Sequence, residues 1–113
     1  MNVKVDPTEL AEALISRSTC YVKVAAVIED AHGVLSWGWN SVGEGFGKHA
    51  EAHAIERANK KRLEGATIYV AGTRKRNLKP VNSTPCEECM KLINKWGITD
   101  VWFRDNDNVW KLL

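Results

Sequence analysis

The run Tyr21 to Ile28 (Tyr-Val-Lys-Val-Ala-Ala-Val-Ile) constrains the fold more than any other stretch of this chain. It is β-branched and almost wholly apolar, which predicts a strand covered on both faces rather than one with a side in water. Ala31-His32-Gly33 reads as a turn, and Val34 to Trp39 returns as a second strand, so the two form a hairpin. Further on, strands alternate with helical patterns. His49 to Leu63 is rich in Ala, Glu, Lys and Arg, places Ala50, His53, Ala54, Arg57 and Ala58 on one face of mostly small residues, and stops at Gly65. Ala66 to Ala71 is a third strand, Cys86 to Trp96 a helix with Met90, Ile93 and Trp96 inward, and Ile98 to Phe103 a fourth strand. Val109 to Leu113 adds a fifth element. With a short N-terminal helix capped by Asp6, Pro7, Thr8 and Glu9, the order predicts a mixed sheet between helices.

At 113 residues, with 44% hydrophobic and 27% charged side chains, residues 1–113 are expected to form a single packed domain, not a disordered tail. No apolar run approaches the roughly 20 residues that cross a bilayer, and the first residues carry no export or import signal. A cytoplasmic protein with no membrane partner is the expectation. Three cysteines rule out a disulfide framework and leave thiols or a metal site.

The net charge of +2 excludes a wholly basic nucleic-acid binder, but the charge is unevenly spread. Residues 57–79 hold eight basic side chains and one acid. Part of this excess lies in Gly72 to Thr84, a polar stretch expected to be a long loop, which in a compact domain is more often functional than idle. Such a run is either a solvated face or a surface that meets phosphates. Asn40 to Lys48, with three glycines, reads as a second loop.

Two short segments carry the chemistry. His49-Ala50-Glu51 opens one helix, and Pro85-Cys86-Glu87-Glu88-Cys89 opens the next. A Cys-x-x-Cys at a helix start places two sulfurs within one turn, where the helix dipole favours the thiolates a metal needs. His49, Cys86 and Cys89 make three ligands for tetrahedral zinc and leave the fourth position open, as in catalytic sites. Glu51 lies two residues after the histidine, about 200° round an ideal helix, and so is a poor co-ligand. At the first turn it still reaches the same pocket, where a carboxylate can take a proton from water activated by zinc and pass it to a leaving group. Cys-x-x-Cys alone would equally suit a redox pair or half a structural zinc ribbon. His49 and His53 could share a metal at i, i+4, but the protease pattern needs Glu where Ala50 stands. His53 reads as a wall or packing residue, and Cys20 as a core thiol.

Joined, His-x-Glu and Pro-Cys-x-x-Cys form the signature of zinc nucleobase deaminases. The chain resembles the cytidine and deoxycytidylate deaminase superfamily over nearly its whole length, from Arg17-Ser18-Thr19-Cys20 and Val24 to Ile28 through Gly38-Trp39-Asn40 to both metal segments. The resemblance implies a three-layer α/β/α fold of cytidine deaminase type with a mixed five-stranded sheet. It implies one Zn2+ per chain on His49, Cys86 and Cys89, with Glu51 as proton shuttle. Asn40, the Ala50 backbone N–H and the backbone near Thr84 would then meet the substrate. Among the departures, Asn40 is followed by Ser41-Val42-Gly43, and His53 stands where deoxycytidylate enzymes commonly have asparagine.

The leading expectation is a zinc-dependent hydrolase that converts cytosine to uracil in a free (deoxy)nucleotide such as deoxycytidine monophosphate, with Arg74, Arg76 or Lys79 reading the phosphate. A base in single-stranded DNA or RNA, cytosine or adenine, is the alternative, suggested by the basic run and by Trp37, Trp39 and Phe46. A silent zinc module is a further alternative, against which Glu51 speaks. Five tryptophans in a small chain suggest a homo-oligomer.

Overall fold

A computed structural model describes residues 5–42 and 49–113. In chain order the elements are α1 (Pro7–Leu14), β1 (Val22–Asp30), β2 (Gly33–Trp39), α2 (Ala50–Arg57), β3 (Thr67–Arg74), β4 (Pro80–Val81), α3 (Glu87–Lys95), β5 (Asp100–Arg104) and β6 (Trp110–Leu112). Short 3-10 turns follow α1 and α2 at Ile15–Arg17 and Lys60–Arg62. The Asp6 carboxylate accepts the Thr8 N–H at 2.9 Å and Pro7 occupies the first turn, so α1 starts where its cap residues dictate.

The sheet runs β2-β1-β3-β5-β6, with β4 hydrogen-bonded to β3 beside this path. β1 is antiparallel to both β2 and β3, β3 is parallel to β5, and β5 is antiparallel to β6. The sheet is therefore mixed, and its main path has the expected five strands, with the short β4 added to them. β1 alternates strictly between two cores. Ala26 and Ile28 join Ile68, Val70 and Val101 under α2 and α3, while Ala25 and Val27 join Ala71 under α1. Ala25 to Ile28 are fully buried, which is why their run is apolar at both parities. Helices thus lie on both faces of the sheet.

Two boundaries differ from expectation. The second helix ends at Arg57 rather than Leu63, because Ala58 is extended (φ −78°, ψ 152°) and the Asn59 side chain accepts the Lys61 N–H to start a separate turn. That break lets Leu63 and Ala66 return to the core. The expected loop from Gly72 to Thr84 is mostly a hairpin: β3 continues to Arg74, and Gly72 pairs with Val81 and Thr73 with Pro80. Its polar sequence hides the strand because its outer residues face water. The loop expected over Asn40–Lys48, Phe46 included, falls largely outside the described residues.

Gly38 sets how close α2 lies to the sheet. A Cβ there would sit 2.5 Å from the Ala54 nitrogen and 2.9 Å from the Ala50 carbonyl. Ser36, on the same face of β2, donates its hydroxyl to the Ala54 carbonyl at 2.8 Å. These contacts hold α2, and with it His49 and Glu51, against the hairpin.

Candidate metal centre

α2 and α3 pack on the same face of the sheet and begin at the same end of it. His49 is the N-cap of α2, with φ −74° and ψ 150°, so it stands outside the helix that carries Glu51. The 200° separation of an ideal helix does not apply, and both side chains line one cavity. Cys86 is the N-cap of α3, and its sulfur accepts the Cys89 N–H at 3.4 Å. His49 Nδ1 lies 3.7 Å from Cys86 Sγ and 3.3 Å from Cys89 Sγ, and the three ligand atoms are within 4.8 Å of one another. All three cysteines of the chain are free thiols.

One imidazole nitrogen and two sulfurs at this spacing suit one zinc ion in tetrahedral coordination with its last position open. The electrostatics agree with that donor set. Burial pushes the Glu51 carboxyl above its ordinary value, opposed by a backbone hydrogen bond, the His49 charge and the Cys89 thiol. Burial, and then the Glu51 charge, push the Cys89 thiol up as well. Without a cation, buried groups of one sign resist ionising together. The chain thus holds a single Zn2+ site at His49, Cys86 and Cys89.

The cavity has a volume of about 660 Å3. Asn40, Ala50 and Thr84 line it along with the metal-site residues His49 and Cys86 and with Glu51. The Asn40 amide is anchored: its oxygen accepts the Val24 N–H at 2.9 Å and the Ser18 hydroxyl, and its nitrogen donates to the Val22 carbonyl at 2.8 Å. That fixes the amide orientation and leaves one N–H of the NH2 beyond these bonds. Thr84 donates its backbone N–H and its hydroxyl to the Asn82 side chain. Arg74, Arg76 and Lys79 are exposed on the β3–β4 hairpin and do not form the cavity wall. His53 packs as a helix contact, accepting the Trp39 N–H at 3.2 Å with its ring edge-on to the indole. Cys20 is half-buried in the cavity wall rather than in the core.

Sequence reading missed Asn82, Ser83 and Glu88 as cavity residues. Asn82 had a signal, since an Asn two residues before Thr forms an Asx turn. Glu88 lies inside the Cys-x-x-Cys, and its exposure to the cavity follows from Cys86 being the cap.

Residues 4–104 match the family described as the cytidine and deoxycytidylate deaminase zinc-binding region. No curated protein matches the chain. Among solved structures, a cytidine deaminase from Burkholderia pseudomallei is similar at 20% identity and a TM-score of 0.73, over 95% of this chain and 88% of that one. A dCMP deaminase from the cyanophage S-TIM5, in its apo form, gives 22% identity and a TM-score of 0.67, over 88% and 79%. A cytidine deaminase from Mycobacterium leprae gives 17% and 0.62, over 93% and 88%. At these identities the likeness is one of fold, a three-layer deaminase-type architecture.

Proposed function

Because the chain belongs to the cytidine and deoxycytidylate deaminase family, we propose that it hydrolyses the amino group of cytosine in a free deoxynucleotide such as deoxycytidine monophosphate, giving uracil and ammonia. The observation that carries this reading is the convergence of His49, Cys86 and Cys89 on one point, with the buried Glu51 carboxyl at hydrogen-bonding reach of Cys89. A structural zinc site has no use for a buried carboxylate at its open side.

When bound at the three ligands, zinc supplies a Lewis acid that activates water near neutral pH. Glu51 takes a proton from the attacking water on its carboxylate oxygen and delivers it to the ring, then carries a second to the departing amine. Its burial makes that carboxylate a stronger base than a solvated one. The Ala50 N–H, at the first turn of α2 where it has no intrahelical partner, would donate to the pyrimidine carbonyl. Asn40, held by β1, offers its remaining amide N–H to the sugar or base, and the backbone at Thr84 faces the leaving ammonia.

Among the described residues, those that line the cavity include no Lys or Arg. A phosphate that projects outward would meet a strongly basic element among the described residues, the hairpin, which joins the cavity through Val81 and Asn82. Lys75 also donates its N–H to the Tyr21 carbonyl at 2.8 Å, beside the cavity residues Cys20 and Val22. Arg–phosphate bonds of about 1.5–3 kcal/mol correspond to roughly a tenfold to hundredfold preference for the monophosphate over the nucleoside. Ammonia release by the zinc-loaded protein, compared across cytosine, cytidine, deoxycytidine and their phosphates, tests the proposal. Replacing Arg74 and Arg76 by Ala should raise KM for the nucleotide and leave the nucleoside rate alone. Equal turnover of nucleoside and monophosphate would exclude phosphate reading, and no turnover of any cytosine compound would overturn the function.

A further inference from the structure

We infer that the edge strand β2 carries a binding surface for single-stranded nucleic acid, which runs from Trp37 to the mouth of the cavity. This goes beyond the free-nucleotide reading and does not rest on it. Trp37 and Trp39 are two residues apart on β2, so they leave the strand on the same side, about 7 Å apart. Trp37 is 38% exposed. The Arg57 guanidinium lies 5.1 Å from the Trp37 ring centre and 5.8 Å from that of Trp39, and the Arg17 guanidinium also lies 5.8 Å from the Trp39 ring centre. Two aromatic rings are thereby laced with two cations. Among the described residues neither arginine enters an ion pair.

A guanidinium held over an indole keeps N–H groups for phosphate oxygens. Exposed rings of this kind stack on bases whatever their sequence, and unpaired arginines beside them track the backbone. The strip meets the cavity directly: Asn40 follows Trp39 and lines it. Next to Val22, whose carbonyl accepts from the Asn40 amide, Tyr21 is 64% exposed, and its carbonyl accepts the backbone N–H of Lys75 in the basic hairpin. Cations and aromatic rings therefore lie beside a mouth whose described lining residues carry no Lys or Arg. A second copy of the chain paired symmetrically on this strip would set the same unpaired arginines against each other, which like charge opposes. Phosphates complement them.

The test is fluorescence anisotropy of labelled oligothymidylate and oligouridylate strands of about 15 nucleotides with the zinc-loaded full chain, over a range of salt. Binding should weaken with salt, with a slope near −0.7 for each phosphate contacted. Trp37→Ala should weaken it about tenfold or more, Trp37→Phe should keep it, and Arg57→Gln should flatten the salt slope by about 0.7. Release of ammonia from free nucleotide should be unchanged in all three, so loss of strand binding and loss of deamination are separately read. Absence of binding to either strand at low salt would overturn the inference, as would undiminished binding by the Trp37→Ala, Arg57→Gln double variant. Sedimentation showing that Trp37→Ala converts an oligomer to monomers, with no strand bound by the parent protein, would assign the strip to self-association instead.

Discussion

Glu51→Gln keeps the shape of the side chain and removes its ability to accept a proton. The variant should retain one zinc per chain by elemental analysis and lose on the order of 10² to 10⁴ in turnover, at the upper end because in the proposed mechanism the same carboxylate would serve two transfers. Near-normal activity would mean that another group activates the water. The three metal ligands were legible from spacing and residue type once His-x-Glu and Pro-Cys-x-x-Cys were joined into one signature. What spacing could not tell was how His49 and Glu51 share a cavity, because the argument from 100° per residue assumes that both belong to the helix. A cap residue has extended backbone, and one such residue swings the histidine round. Cys20 was misjudged for a related reason: its neighbours Thr19 and Tyr21 suggest a strand start, but not that the strand start forms a cavity wall.

The hairpin, α2 and the helix–sheet spacing belong to the next scale. Gly38→Ala puts a methyl carbon onto the backbone of α2, where no side chain can move aside. Overpacking of this kind costs about 3 kcal/mol, so Tm should fall by about 10 °C or more, and the zinc site should loosen with the helix that carries His49. An unchanged Tm would show that α2 shifts freely. Strands β1 and β2 were legible because their burial demands apolar side chains. The β3–β4 hairpin was not, since Thr73, Arg74, Pro80 and Val81 satisfy backbone hydrogen bonds while leaving most side chains in or near water. The end of α2 was invisible because Ala58, Asn59, Lys60 and Lys61 contain no residue that forbids a helix, and the break comes from the need to return Leu63 to the core.

For the molecule as a whole, stability should narrow at both ends of the pH scale. The Lys111 ammonium, 2.8 Å away, and the N–H groups of Val109 and Asp107 hold the Asp105 carboxyl below its ordinary 3.8. Its contribution is present above that pH and is lost as pH falls through the lower folded value. Asp105→Asn should therefore flatten the acid limb of Tm against pH. Tyr69, which donates its hydroxyl to Glu29 at 3.2 Å, is pushed up to about 12 by burial and then by the Glu29 charge. Its contribution is whole below the ordinary value of 10.0 and is lost as pH rises through about 12. An absorbance titration of the folded protein that shows Tyr69 ionising near 10 would contradict this.

His49 and Cys86 are 37 positions apart, and the chain between them includes α2, β3 and β4. An ion held by both ends binds the folded chain and not the unfolded one, so its binding free energy adds to the stability of the fold. That free energy is lost in full when the ion is chelated. Chelation should therefore lower Tm well beyond the disturbance of the cavity itself, and Cys86→Ala should lower it with no further drop on adding chelator. Apoprotein that melts with the holoprotein would mean that packing alone already holds the two ends together.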